Sequence, residues 1–319
     1  MTQTTGPPKP AENEHEAYVE EALEFARETF YKTAEVDWEP IEEWAYNIVE
    51  DNPTTEGAHE AVGFALAALD RFHTGFIPPG ASPDRGAGRR EPPSGERLEG
   101  GVGYLHLPGI TLPEHAPEYV DAVRQTMEQI DSERPVCGWV LDLRDSTGGS
   151  SRGDWLALGP LVGDDLLMRF GKADGVTESV YYEDGTLRYE DPRFPEGEAE
   201  LSRQVPADSY IPEQVDVAIA VLISSQTGSA GEAAAITFVG RPHTRFFGEQ
   251  TGGATTASEF HEMPDGAVLR VSSGLYQDRT GQEYEHGLQP DTEVRSFTES
   301  RDRVLEAAHE WLANQRSCT

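Results

Sequence analysis

A serine at the start of a predicted helix is the residue whose placement best fits a chemical role. The stretch VAIAVLISSQTGSAGEAAAITF, residues 217–238, predicts an apolar strand, a glycine-bearing turn and a helix that opens at Ser229. A serine there can present its hydroxyl while its own N–H and that of Ala230 face a bound group. Acyl transfer needs such an exposed nucleophile beside fixed backbone donors. The alternative is an ordinary helix N-cap, because serine is a favoured capping residue.

A pair of glycines follows another apolar strand, in VLDLRDSTGGS at residues 140–150. Paired glycines let the backbone approach a ligand closely and turn N–H groups toward it. Beside a nucleophile, Gly148 or Gly149 would supply a second oxyanion donor in addition to Ala230. A simple tight turn is the alternative for this motif.

Helical periodicity extends from residue 13 to about residue 72, within an expected N-terminal subdomain of residues 13–76. Asp37 and Pro40 precede the second helical stretch, and Asn52 and Pro53 follow it, as is typical of helix boundaries. We expect an N-terminal helical subdomain of three helices. Apolar residues recur at spacings of three and four in AYVEEALEFARETFYKTA, IEEWAYNIVED and EAVGFALAALDRF.

Two other segments lack any periodic spacing of apolar residues. Residues 1–12 are polar and proline-rich, which predicts a disordered tail. Residues 77–101 are dense in proline, glycine and charge, which predicts a linker or flap.

Short apolar strands alternate with helices over residues 102–319, which predicts an α/β domain built of βαβ units. Asp184 and Gly185 indicate a hairpin turn, EMPDGAVL indicates another hairpin, and a last helix is expected at about 298–315. The main elements of the pattern are VGYLHL, the amphipathic helix PEYVDAVRQTMEQID, VCGWVLDLR and VDVAIAVLISS.

Four motifs occur in order along the chain: DLRDSTGG, AVLISSQTGSAGE, FFGEQTGG and YEHGLQPD. Together they resemble the C-terminal processing, or tail-specific, serine protease family over about residues 60–295. The resemblance implies a crotonase-like (ClpP/crotonase) α/β core with an N-terminal helical subdomain and small β-hairpin additions. It also implies peptide-bond hydrolysis through an acyl-enzyme on Ser229.

The sequence departs from many members of that family at the catalytic base. Ala254 stands where those members carry a lysine, and no lysine follows Lys172, so a Ser/Lys dyad is excluded. The branch without that lysine, which includes the tricorn core and the nisin-resistance proteins, uses a histidine from the N-terminal part. The resemblance therefore implies His73, in LDRFHTGF, as general base. Neutral imidazole suits that role near pH 7; a surface histidine that ends the third helix is the alternative.

The resemblance also suggests a third catalytic residue, a glutamate in GQEYEHGLQPD. Glu285 is the first candidate and Glu283 the second, and a Ser/His dyad without a third member stays open. Glu232 fits the S-x-x-E form of the family, and we interpret it as a structural cap of the helix that starts at Ser229.

Substrate recognition is expected to differ from that of members with a peptide-binding PDZ module. Between His73 and Gly101 there are too few residues for such a module. Peptides or unstructured protein segments are the expected substrates. Arg245 is a candidate for binding a substrate carboxylate, because guanidinium makes bidentate pairs with it.

Two other functions remain open on the same fold: an apolar-ligand binding protein of the retinoid-binding type, and an esterase that acts on small molecules. The sequence shows no metal cluster and no nucleotide fingerprint, so no cofactor is expected.

The composition is strongly acidic, with 58 acidic against 25 basic residues and a formal net charge of -33. We expect no binding to nucleic acid or to anionic membranes. The acidity suits either a salt-loving source or an acidic protein from a GC-rich genome.

The location expected from the sequence is the cytoplasm. The sequence has no apolar run long enough to span a membrane, and its start does not follow the pattern of an export signal. Cys137 and Cys318 form neither a disulfide framework nor a metal-ligand spacing, so we expect both to be reduced. The oligomeric state is not encoded in any of these patterns.

Overall fold

The computed structural model describes residues 13–70, 72–81, 91–110, 115–132, 134–163, 165–192, 209–212, 214, 216–295 and 301–318. The predicted tail, residues 1–12, and residues 82–90 of the predicted linker lie outside the described residues. The chain forms two compact units. Unit 1 comprises Met1–Arg85 and Ala257–Gly274, and unit 2 comprises Gly86–Thr256 and Leu275–Thr319.

The helices of the described residues are α1 (Glu14–Thr29), α2 (Trp38–Asp51), α3 (Thr55–Ala67), α4 (Ala116–Asp131), α5 (Ser151–Val162), α6 (Ala230–Ile236) and α7 (Arg303–Ala313). The strands are β1 (Gly75–Ile77), β2 (Ser94–Arg97), β3 (Val102–His106), β4 (Gly138–Asp142), β5 (Asp165–Gly171), β6 (Thr177–Glu183), β7 (Thr186–Glu190), β8 (Ala218–Ile223), β9 (Thr244–Gly248), β10 (Thr256–Glu262), β11 (Val268–Gln277) and β12 (Thr292–Glu293).

Unit 1 contains the three predicted helices, α1 to α3. Their apolar faces share one core with side chains from β11 and the turn before it, including Met263, Leu269 and Val271. β1 pairs antiparallel with β11. The sequence interpretation assigned residues 257–274 to the second domain, and the structure corrects this. The apolar residues of the hairpin fill the helical core, a long-range packing that local periodicity does not reveal.

Unit 2 is built on a mixed sheet with the strand order β12-β9-β8-β4-β3-β2. β3, β4, β8, β9 and β12 pair in parallel, which confirms the predicted βαβ pattern. β2 lies inside the predicted linker but pairs antiparallel with β3. The C-terminal ends of β4 and β8 therefore lie side by side at one edge of the sheet. The glycine pair follows β4, and Ser229 follows β8.

A second set of strands, β5 to β7, extends from the last residues of β11. Asp184 and Gly185 form the predicted hairpin turn between β6 and β7, with φ values of 47° and 78°. Positive φ at both central residues matches the turn type that suits tight hairpins.

Helix α5 has no counterpart among the predicted elements. Its residues from Gly153 to Val162 are all buried, so the segment shows no polar face. A helix that is buried all round lacks the amphipathic pattern on which sequence prediction depends.

The two cysteines are joined, which overturns the expectation that both are reduced. Cys137, next to β4, forms a disulfide with Cys318, which follows α7. Helix α7 buries Val304, Ala308 and Leu312 in the same apolar cluster as β4 and β8. Packing of this helix brings together cysteines that are 181 residues apart in sequence. None of the helices in the described residues is long and apolar enough to span a bilayer.

Candidate active site

Ser229 lies at the turn between β8 and α6, in unit 2. Its backbone angles are φ 51° and ψ -115°. A non-glycine residue with such angles lies outside the main allowed regions and is strained, as is common for residues at functional sites. Ser229 caps α6, and its residue surface is half-buried.

Hydrogen bonds join the turn before Ser229 to the loop after β4. The N–H of Gly228 donates to the carbonyl of Ser146 at 2.9 Å. The hydroxyl of Thr227 donates to the carbonyl of Leu143 at 2.9 Å, and Thr227 is fully buried. These bonds fix the serine turn and the glycine loop with respect to each other.

Gly148 lies against the side chain of Ser229. A Cβ atom on Gly148 would be 2.9 Å from the Cβ of Ser229 and 3.4 Å from its Oγ. Gly148 and Gly149 have φ values of 119° and 117°, which glycine adopts readily and other residues do not. The structure thus brings together Ser229 and the glycine pair that the sequence interpretation placed in one site.

The backbone donors of the serine turn differ from the expectation in one respect. The N–H of Ser229 donates to Oε2 of Glu232 at 2.9 Å, so it does not face a bound group as predicted. Ala230 is the first residue of α6, and the N–H groups of a first helical turn have no acceptor within the helix. Ala230 therefore stays the candidate donor on this side, and the predicted capping role of Glu232 is confirmed.

Glu232 is fully buried and also holds the turn after β9. Its Oε1 accepts the hydroxyl of Thr251 at 2.5 Å and the N–H of Gly253 at 2.8 Å. Burial raises the pKa of the Glu232 carboxyl above its ordinary value, although the hydrogen bonds from Thr251, Gly253, Ser229 and Ala254 oppose that rise.

His73 lies in unit 1, between α3 and β1, and its residue surface is 5% exposed. Its backbone N–H donates to Oδ2 of Asp70 at 3.2 Å, and the N–H of Phe72 donates to Oδ1 at 3.0 Å. The hydroxyl of Ser272, on β11, also donates to Oδ2 of Asp70 at 2.6 Å. Asp70 thus holds the His73 segment on β11, within unit 1.

Sequence reasoning missed Asp70, although a local signal exists. An aspartate two or three residues before an N–H group is typical of turns closed by the side chain. Burial alone would raise the pKa of Asp70, but hydrogen bonds from Ser272, Phe72 and His73 lower it below the ordinary value.

Both candidate glutamates line a cavity of about 550 Å³ in unit 2. Ser229 is not among the residues that line this cavity. Both glutamates are exposed at this cavity, and Oε1 of Glu283 accepts the side-chain amide of Gln277 at 3.0 Å. The segment after Glu285 packs on the turn that Glu232 holds, because a Cβ on Gly253 would be 3.4 Å from the His286 carbonyl.

Arg245 lies away from the serine turn. It is the second residue of β9 and pairs with Ala220, whereas Ser229 follows the far end of β8. Its Nε donates to the hydroxyl of Thr292 at 3.0 Å. The structure therefore does not bring Arg245 to the glycine pair and the nucleophile candidate. Among the described residues, no group of three or more His, Cys, Asp or Glu is arranged to hold a metal ion.

Comparison with known proteins identifies the family. The sequence pattern of peptidase family S41 matches residues 101–294, which is more than half of the 319 residues. The chain belongs to peptidase family S41. This result confirms the family membership predicted from the four motifs. The matched region contains Ser229 and the glycine pair.

One curated relative is the nisin-resistance protein of Lactococcus lactis subsp. lactis, which is 26% identical over 220 residues. The alignment covers 68% of this chain and 62% of the relative, so the chain spans about six tenths of the relative's length.

Two solved structures share the fold. A lipoprotein from Streptococcus agalactiae has a TM-score of 0.70 at 20% identity, over 98% of this chain and 99% of that one. The photosystem II D1 C-terminal processing protease has a TM-score of 0.62 at 14% identity, over 96% and 99% of the two chains. Both similarities support a mixed α/β fold of the family type.

Proposed function

We propose that this protein is a serine peptidase that hydrolyses peptide bonds through an acyl-enzyme on Ser229. Oγ of Ser229 attacks the carbonyl carbon of the scissile bond while His73 takes the hydroxyl proton. The N–H of Ala230 and that of Gly148 or Gly149 stabilise the oxyanion. The C–N bond then breaks as His73 gives its proton to the leaving amine, and water, activated by His73, hydrolyses the ester.

The placement of Gly148 against the Ser229 side chain is the observation that carries this proposal. An ordinary capping serine needs neither a strained backbone nor a glycine that leaves open space beside its hydroxyl. Together with family membership, this geometry favours a nucleophile over a simple cap.

The remaining assignments belong to the same proposal. Glu285 orients His73, with Glu283 or a simple dyad as the alternatives. The α/β core is of the crotonase-like type. Substrates are peptides or unstructured protein segments, which can lie extended along a cleft.

The disulfide between Cys137 and Cys318 bears on the compartment. Disulfides persist in oxidising environments and are rare in the cytosol. We therefore propose that the protein is located in an oxidising compartment. The cytoplasmic location was expected from cysteines that were predicted to be reduced.

Labelling with a fluorophosphonate probe tests the proposed function. The wild type is expected to be labelled on Ser229, and Ser229→Ala and His73→Ala are expected to lose labelling. Ser225→Ala is the matched control, because Ser225 is an exposed serine in the same loop and holds no proposed role. An unlabelled wild type would reject the hydrolase proposal in favour of a binding protein. Labelling without cleavage of any peptide in a library would favour an esterase.

A further inference from the structure

The buried carboxylate of Glu232 connects two loops of unit 2. Its Oε2 accepts the N–H of Ser229 at 2.9 Å. Its Oε1 accepts the Thr251 hydroxyl at 2.5 Å and the Gly253 N–H at 2.8 Å. A helix cap needs an acceptor for one or two N–H groups of its own helix, so these contacts exceed what capping of α6 requires.

The backbone N–H groups of Ser229 and Gly253 can only donate, and they bond to different oxygens of Glu232, so the side chain must act as an acceptor at both oxygens. An ionised carboxylate does so, with two oxygens and no proton. A glutamine in the same position has one oxygen and one NH₂ group. Its NH₂ group would face the N–H groups of one of the two loops, and two donors cannot form a hydrogen bond with each other. Glutamine therefore satisfies the turn before α6 or the turn after β9, but not both.

We propose that Glu232 is a positioning residue for the nucleophile. The ionised carboxylate holds Ser229 in its strained conformation and fixes the turn from Thr251 to Ala254 beside it. It also turns the Ser229 N–H away from the substrate, so the oxyanion donors are limited to Ala230 and the glycine pair. This inference rests on the proposed function of Ser229 as nucleophile.

The test compares Glu232→Gln with Asp131→Asn. Asp131 is also a buried carboxylate of unit 2 and accepts the N–H of Val136 at 2.6 Å, but it is the last residue of α4 and has no proposed role. We expect fluorophosphonate labelling of Glu232→Gln to be slower by at least about tenfold, since misplacement of a reacting group is costly. With a peptide substrate, kcat falls while KM changes by less than about twofold. Asp131→Asn keeps the labelling rate of the wild type.

Amide hydrogen exchange supplies a readout independent of activity. Glu232→Gln is expected to lose protection in segments 225–233 or 249–256, whereas Asp131→Asn changes neither. If Glu232→Gln does not fold, Thr251→Val takes its place. This substitution removes one donor and leaves the carboxylate, and the expected decrease in labelling rate is about threefold to tenfold.

The outcomes separate this inference from the proposed function. A labelled wild type with an equally fast Glu232→Gln, or with an equally fast Thr251→Val where Glu232→Gln is unfolded, overturns the positioning role and leaves the peptidase proposal intact. An unlabelled wild type rejects the proposed function and this inference with it.

Discussion

The hydroxyl of Ser272 donates a 2.6 Å hydrogen bond to Oδ2 of Asp70, and the same oxygen accepts the backbone N–H of His73 at 3.2 Å. Asp70 therefore links the segment that carries the proposed base to β11 within unit 1. Thr74 extends the link, because its Oγ1 accepts the N–H of Ser272 at 3.1 Å. A histidine held through its backbone in this way has less freedom to leave its position.

Replacing Asp70 with asparagine is expected to slow the labelling of Ser229 by about tenfold, because His73 loses part of its support. The amide keeps one acceptor oxygen but cannot accept at both positions. The matched control is Asp265→Asn, also in unit 1, whose carboxylate accepts the N–H of Ala267 at 3.1 Å. Equal labelling rates in the Asp70 variant and the wild type, with both folded, would contradict the supporting role.

The same residue predicts a pH dependence of stability. The pKa of Asp70 is lower in the folded state than its unfolded value of about 3.9. Ionised Asp70 therefore stabilises the fold above that pH, and the contribution is lost as the pH falls through the folded pKa. In urea unfolding at pH 6 and pH 3, the stability difference between wild type and Asp70→Asn should shrink at the lower pH. A constant difference would argue against this linkage.

Much of unit 2 was predictable because its signals are local. Parallel strands carry their motifs at the same sheet edge, so the glycine pair after β4 and Ser229 after β8 could be assigned to one site. The S-x-x-E spacing predicted the Glu232 cap. That cap uses the Ser229 N–H. The expectation that this N–H faces a ligand was therefore wrong. The S-x-x-E spacing already predicted that Glu232 would accept the same N–H, so the two expectations conflicted with each other.

Other features depend on packing that no local pattern encodes. The disulfide joins residues 181 positions apart, and the two cysteines meet only because α7 packs on the parallel sheet. The hairpin at 257–274 enters the core of unit 1 through Met263 and Leu269, far from the helices in sequence. Asp70 illustrates a different limit, since its short-range turn signal is common and says nothing of Ser272.

Crowding at Gly148 is expected to abolish most activity. In Gly148→Ala the new Cβ would be 2.9 Å from the Cβ of Ser229, so the nucleophile must move. We expect the labelling rate to fall by about a hundredfold. Gly163→Ala is the matched control, since Gly163 has φ 93° but a Cβ there meets no described atom within 4 Å. Both variants lose about 1–3 kcal/mol of stability through backbone strain. A lower labelling rate in Gly148→Ala than in Gly163→Ala is therefore due to the crowding of Ser229. Equal labelling rates in the two variants would show that a Cβ at position 148 does not displace the Ser229 side chain.

The Cys137–Cys318 disulfide should contribute to stability. Removing it in Cys318→Ser is expected to lower the free energy of unfolding by about 2–4 kcal/mol, because the unfolded chain regains freedom. The native wild type should resist alkylation until a reductant is added. A double serine variant serves as control, since a reductant should not change its Tm. Alkylation of both thiols in native protein purified without reductant would contradict the disulfide.

The charge of -33 predicts that salt stabilises the folded chain. Self-repulsion among like charges destabilises a compact state, and at 1 M salt the screening length shrinks to about 3 Å. The Tm is expected to rise between 0.1 M and 2 M KCl. Sucrose is the control, because it stabilises proteins without screening charge. Variants in which exposed glutamates of α1 and α2 become glutamine should be more stable at 0.1 M and gain less from KCl. If the Tm of the wild type and that of these variants rise equally with KCl, charge repulsion does not cause the stabilisation by salt. The acidic composition would then not support adaptation to a high-salt source.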